Sequence, residues 1–389
     1  MARASLCDPR SMLDPHKKPE EKRAPLKNWA NTYNTKERRA QVEEEEEEML
    51  LPCKPEPERR RSRRLPVCEE DGIVMGYAEQ NGCGQMEERE GSGLILRLHG
   101  LSVSDHCVLR RELEAAMEKL GLTFEKIYAW DIFLAMMRKQ SCYTLQSAEL
   151  PSGFTSYTRA IVVDWLIQVH DAFHFCEETL YLAVHLLNKF MRRPKVSFST
   201  FQLLGMVCLF IASKKEECLL PEVSELCFLM ENTYSKKQLL RMERKVLMEL
   251  HFDLSYCHPL HFLLLNGAIA HSSAQVLWMA QYLLELSLLE VQFVVFEPVQ
   301  LASAALCLAC RVLQEPASLE CETAWLTARS LFICSERVVR RVMQAMARAA
   351  ARVGASETRT TYLKFSTMDR LQVSMHPALH SSPLLLELL

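Results

Sequence analysis

Glycine is scarce in this chain, 12 in 389 residues, and nowhere does it gather into a loop that could wrap a phosphate. Alternating apolar and polar residues are missing from residues 105–352, which argues against strands. No apolar run approaches the ~20 residues that a bilayer crossing needs. Nor does any N-terminal stretch have the charged-then-apolar build of a secretory leader, so no membrane partner is expected. Neither sign of charge prevails: 46 Lys and Arg stand against 49 Asp and Glu, a net charge of -3 that offers no bulk attraction to nucleic acid. No Ser or Cys nucleophile sits beside a histidine in a recognisable motif. Cys307 and Cys310 form the one close cysteine pair, inside an apolar helix without a second pair at zinc spacing. The expectation is therefore a non-enzyme with no metal, no cofactor and no small-molecule substrate. Fifteen cysteines scattered over apolar helical positions read as reduced, small hydrophobes of an intracellular protein.

What the chain has is apolar helix. Leu203 to Ala212 is ten residues without a charge, too short to cross a membrane and apolar on every side. Such a helix must be enclosed by others. It ends in Ser213, Lys214, Lys215, Glu216 and Glu217, which cannot share that dry setting and so come to the surface. Around it, helical patterning predicts 157–173, 177–192, 199–215, 221–231 and 236–251, with Pro221 at a first helical position and Ser235 to Gln238 as a capping box. A hinge-like break at Tyr256 to Pro259 follows, then 259–271, 275–289, 298–314, 320–331 and 335–352. The third helix of this second run, from Val299 to Arg311, is again apolar nearly all round and mirrors the first at an offset of 98 residues. A buried third helix in each of two five-helix blocks signals a duplicated domain. The fold class expected is all-α: two tandem five-helix repeats at 154–255 and 258–352, with N-terminal helices at 105–143 and tails at 1–104 and 353–389. In the N-terminal helices Ile127, Trp130, Phe133, Leu134 and Met137 form one stripe, and Gly121 stops the helix before them.

Two charges sit where the pattern does not want them. At ~100° per residue, Ile161, Val162, Trp165, Leu166, Val169 and Phe173 share a face, with Asp164, Gln168 and Asp171 opposite. Arg159 lies at the edge of that apolar face, and Glu243 falls in the middle of a stripe of Leu239, Val246, Leu247 and Leu250. An unpaired buried charge costs several kcal/mol, so each needs a partner or an exit to water. The candidates are one another, Lys214, or a second protein. An internal salt-bridge network and a polar anchor within an apolar binding face both fit.

Thr158 to Leu166, Glu178 to Phe190, Gln202 to Glu217 and Leu240 to Leu254 resemble, in order, the first, second, third and fifth helices of the cyclin box. The resemblance is strong over 124–255 and weaker beyond. Within the family, Leu120 to Thr123, Tyr128 to Phe133 and Glu285 to Glu290 resemble cyclin P, with cyclin O next. It implies a regulatory subunit that binds a cyclin-dependent protein kinase, pushes its helix αC and activation loop into the active arrangement and so regulates cell-cycle progression. The matching kinase-binding residues are Lys214, Glu217, Glu243, Leu247, Phe252 and Leu254. Ile161, Trp165 and Gln202 are what remains of an Arg-x-Leu substrate groove. Arg159 is implied to be internal, paired in the family with an Asp that is Asn188 here, so the first helix is expected to be held less firmly. Lys215 replaces an aromatic and Thr158 a methionine, which points to a weak, selective or conditional activator.

The N-terminal tail carries Arg23, Leu26 and Asn31 at the spacing of a mitotic destruction box, which implies a ubiquitin ligase. It also carries the acidic run Glu43 to Glu48 and a basic cluster, Arg59, Arg60, Arg61, Arg63 and Arg64, that suits the nuclear import machinery. Nucleus and cytoplasm are the expected locations. The competing reading is a cyclin-fold adaptor in transcription that activates no kinase. It draws on Arg329, Arg337, Arg340, Arg341, Arg348 and Arg352 in the second block, although a solvated outer face is the ordinary meaning of such a row.

Overall fold

The computed structural model describes residues 103–122, 126–151, 153–192, 196–314, 334–353, 356 and 358–381. The destruction-box-like and basic segments and the helix expected at 320–331 lie outside them.

Among the described residues the architecture is helical throughout. Helices α1 (Val103–Lys119) and α2 (Ala129–Lys139) precede the first repeat. That repeat contains α3 (Ser156–Phe173), α4 (Glu177–Met191), α5 (Phe201–Glu216), α6 (Val223–Leu229) and α7 (Lys236–Glu249). The second contains α8 (Pro259–Ile269), α9 (Ala274–Leu289), α10 (Pro298–Leu313) and α11 (Glu336–Arg352). Each repeat is built round its third helix. Every residue of α5 from Phe201 to Ser213 is buried, enclosed by α3, α4 and α7. Likewise α10 is enclosed by α8, α9 and α11. Gly205 lets α3 approach α5, since a Cβ there would stand 3.0 Å from Val162.

Local signals explain the ends. Ser235 accepts the amide of Gln238 at 3.3 Å, and the Gln238 amide oxygen accepts the amide of Ser235 at 2.7 Å, the reciprocal box its sequence suggested. Thr155 and Thr158 make a second box, which is what the threonine in place of a methionine does structurally. Gly121, at φ +78°, ends α1 by donating to the Glu118 carbonyl at 3.0 Å. Pro221 does not open α6; that helix starts two residues later behind a box formed by Glu222 and Glu225. Ile127 leaves its expected stripe and is exposed on a short turn before α2, while Phe133 and Met137 are buried.

The two repeats are joined by buried charge, and here three expectations are corrected. Tyr256 to Pro259 is no loose hinge: the Tyr256 ring stacks on His185 at 4.3 Å, and burial holds that histidine neutral with a pKa down at about 3. The segment after 353 is no tail. Helix α12 (Thr360–Lys364) docks across both repeats, followed by two short turns and α13 (Ala378–Ser381). Lys364 is 4% exposed and reaches Glu285 of α9 at 2.5 Å and Glu177 of α4 at 3.0 Å. Asp164, Gln168 and Asp171 do not face solvent alone: Asp164 accepts the Thr360 amide at 3.0 Å and its hydroxyl at 2.6 Å, Gln168 donates to that hydroxyl at 2.9 Å, and Asp171 lies 3.9 Å from Arg370.

Burial raises the Glu285 carboxyl to about 7, with Lys364 opposing the rise. Replacing Lys364 by Met orphans that carboxylate and is expected to cost about 3–5 kcal/mol, while Lys364→Met with Glu285→Met recovers most of it. Without Lys364 the folded pKa of Glu285 rises further above its unfolded value. The loss should thus be small below pH 4.5 and grow as pH rises through neutrality, as urea melts at pH 5 and pH 8 would measure.

Candidate functional site

Lys214 and Glu243 come together. Lys214 leaves the last turn of α5, and its ammonium bonds the Glu243 carboxylate presented by α7. The partners differ in access: the Lys214 side chain is 39% exposed and that of Glu243 10%. Lys214 also lies 4.2 Å from the centre of the Phe210 ring, where the face of the ring attracts a cation. The glutamate in the middle of the stripe is thus neutralised from inside the molecule, and the lysine that does so remains at the surface. Internal pair and outward-facing anchor are one arrangement.

The apolar members of the expected set lie on α7 and the segment that follows it. Leu247 and Leu254 are half-buried against the core. Phe252 is 67% exposed, and nearby Met248 is 61% exposed. The reason is in the backbone: α7 ends without glycine, and His251 and Phe252 take φ of +51° and +58°. Consecutive left-handed non-glycine residues cost of order 1 kcal/mol each and cluster at functional sites. The turn is closed by the Phe252 amide on the Leu247 carbonyl at 2.9 Å, which throws the ring outward. Glu217 belongs elsewhere. Its carboxylate accepts the Cys176 amide at 2.8 Å and the Thr179 hydroxyl at 2.5 Å, capping α4, whose own first residue offers no side-chain cap. A carboxylate at a helix N-terminus satisfies orphan amides and the positive end of the dipole. Sequence reading missed this because the cap is supplied from about 40 residues away rather than from the local box. Lys215, in the aromatic position, pairs with Glu216 at 2.6 Å.

Of the three residues expected to line an Arg-x-Leu groove, two are buried. Trp165 and Gln202 are each 5% exposed and belong to the core, leaving the half-buried Ile161. Arg159 is internal, as the resemblance implies. Its Nε donates to Asn188 at 2.9 Å, and its Nη1 donates to the carbonyls of Leu288 at 2.9 Å and Leu289 at 3.1 Å. Those carbonyls close α9, where the dipole is negative. Burial lowers the guanidinium to about 10, and Glu290 opposes that. With an asparagine in place of the family's aspartate, the second repeat's backbone supplies two further acceptors.

Against known proteins, the chain matches the family "Cyclin, N-terminal domain" over residues 131–255 and "Cyclin, C-terminal domain" over residues 257–379. The chain belongs to the cyclin family. This cyclin is 35% identical over 233 residues to the G2/mitotic-specific cyclin-B2 of Oryzias latipes, covering 59% of the chain and 58% of that protein. It is 34% identical over 226 residues to that of Homo sapiens, covering 57% and 55%. With the G2/mitotic-specific cyclin-B of Spisula solidissima the identity is 33% over 265 residues, covering 67% and 60%. The chain thus spans less than two thirds of the length of these relatives. A viral cyclin from Herpesvirus saimiri superposes with a TM-score of 0.48 at 18% identity, covering 56% of this chain and 96% of that one.

Replacing Glu217 by Ala should lower stability by about 1–2 kcal/mol through loss of the α4 cap. The same protein should keep whatever binding depends on Phe252, a separation that thermal melts and a binding assay would read side by side.

Proposed function

We propose that this cyclin is a non-catalytic regulatory subunit that binds and activates a cyclin-dependent protein kinase and so regulates cell-cycle progression. The observation that carries this reading is the face at the end of α5 and α7. A half-exposed lysine is held by a nearly buried glutamate, and the turn that closes the same helix α7 leaves a phenylalanine in water. A fixed charge pair and a large exposed aromatic carried by one helix and its closing turn match the composition of a protein-binding hot spot. The B-type mitotic relatives support the kinase as its partner. Glu217 acts in this scheme as a positioning group for α4 rather than as a contact, and Leu247 and Leu254 as the apolar floor under Phe252. Within the family we place the chain near cyclin P on the residues that open α2. Turnover through a ubiquitin ligase, and import directed by Arg59 to Arg64, are part of the same proposal and rest on sequence alone.

The test is co-precipitation with a kinase assay. Phe252→Ala, at an exposed site, should change stability by less than ~0.5 kcal/mol. It should weaken kinase binding by about 2 kcal/mol, roughly thirtyfold. Lys214→Ala with Glu243→Ala, which removes both charges and so leaves neither orphaned, should also reduce kinase recovery with the fold intact by circular dichroism. Recovery of a kinase by all variants alike, or of none by the unaltered chain, would turn the assignment toward the non-activating adaptor.

A further inference from the structure

Helix α11 carries a charge pattern that packing does not explain. Its inner side buries Val342, Met343, Ala345, Met346, Ala347, Ala349 and Ala350 against the second repeat. Its outer side carries Arg337, Arg340, Arg341, Arg348 and Arg352, with Glu336 as the helix's one acid. At ~100° per residue, Arg337, Arg341, Arg348 and Arg352 fall within about 80° of arc, and Arg340 lies beside it. Arg340 meets Glu336 at 3.2 Å, and Arg352 comes only to 3.8 Å of Glu290. Arg337, Arg341 and Arg348 have no ion-pair partner among the described residues. Like charges four apart, as at 337/341 and 348/352, weaken a helix, whereas a merely solvated face does better with mixed signs. Every cation of α11 is arginine and none is lysine, although only arginine offers the planar fork that takes a carboxylate bidentately.

We infer that this row is a docking site for carboxylates and that its occupant is the run Glu43 to Glu48 of the same chain. The dimensions agree. From Arg337 to Arg352 the helix rises about 22 Å, and six extended residues span about 20 Å. The tether permits it: residues 49–102 separate the run from α1 and could reach about 180 Å at full extension. That is several times the ~50 Å width of a domain of this size. Being covalently attached, the run is present at an effective concentration that free acidic peptides do not reach in dilute solution. The acidic run and the arginine row thus each supply what the other lacks, as the second basic cluster at Arg59 to Arg64 also does, and the experiment below separates the two. Docking would hold the N-terminal segment, with Arg23, Leu26 and Asn31, close to the second repeat. This inference does not depend on a kinase being bound.

The probe is a fluorescein-labelled hexaglutamate peptide, titrated by fluorescence anisotropy at low salt into three forms of the full chain. These are the unaltered chain, the chain with Glu43→Gln through Glu48→Gln, and that second chain with Arg337→Ser, Arg341→Ser and Arg348→Ser added. The glutamine form should bind the peptide at least tenfold more tightly than the unaltered chain, because its site is vacated. The arginine substitutions should abolish that gain, and the gain should fade at 0.5 M salt. Thermal melts confirm that all three forms are folded. Equal binding by the unaltered and glutamine forms overturns the inference. So does a gain that survives the arginine substitutions, which would place the peptide on Arg59 to Arg64. Binding of a duplex DNA probe to the same arginines in the unaltered chain also overturns it, in favour of a nucleic-acid surface.

Discussion

A guanidinium buried between two apolar bundles is the constraint on which this structure rests. Arg159 is 1% exposed, and everything that accepts its protons comes from a defined place: Asn188 on α4 and two carbonyls at the end of α9. Apolar surfaces attract without direction, so two greasy helical blocks could meet in many ways. A buried cation tolerates only the arrangement that satisfies it, because each alternative leaves a charge unsolvated. Lys364 repeats the device on the other side, drawing Glu177 from the first repeat and Glu285 from the second onto one ammonium. Leucine and alanine supply the cohesion of the pair of repeats; a handful of charges sets their register.

That register also sets the position of the end of α5. The Lys214–Glu243 pair and Phe252 lie on helices of the first repeat, and the position of α5 depends on α3 and α4, which Arg159, Glu217 and the Lys364 clasp hold. The proposed binding face therefore sits on helices whose positions are fixed from within the fold. Rigid display of a strained, outward-turned aromatic suits a subunit that acts by shaping another protein, since little ordering is left to be lost on association. Lys215 places an ion pair with Glu216 at the position where the resemblance implies an aromatic.

Much of this was legible before any coordinates. The central helices, the duplication, the box at Ser235 and the oddity of Arg159 and Glu243 follow from periodicity and from the cost of buried charge. So did the meeting of Lys214 with Glu243, which was among the few pairings open to them. The groove was less legible, because a wheel shows which residues share a face but not whether a neighbour covers it; Trp165 and Gln202 are covered. Glu285 could have been found, as a lone acid within an apolar run. The role of Lys364 could not, since its partners lie 79 and 187 residues away in sequence.

By itself, then, the amino-acid order determined the helices, their buried faces and the doubled plan, because those depend on interactions within a few residues along the chain. Tertiary structure decided which charge answers which: that Glu217 caps α4, that the α9 carbonyls accept from Arg159, and that the segment after 353 folds back as a clasp. Such choices rest on distances between parts remote in sequence, and distance in space is what a linear pattern does not carry.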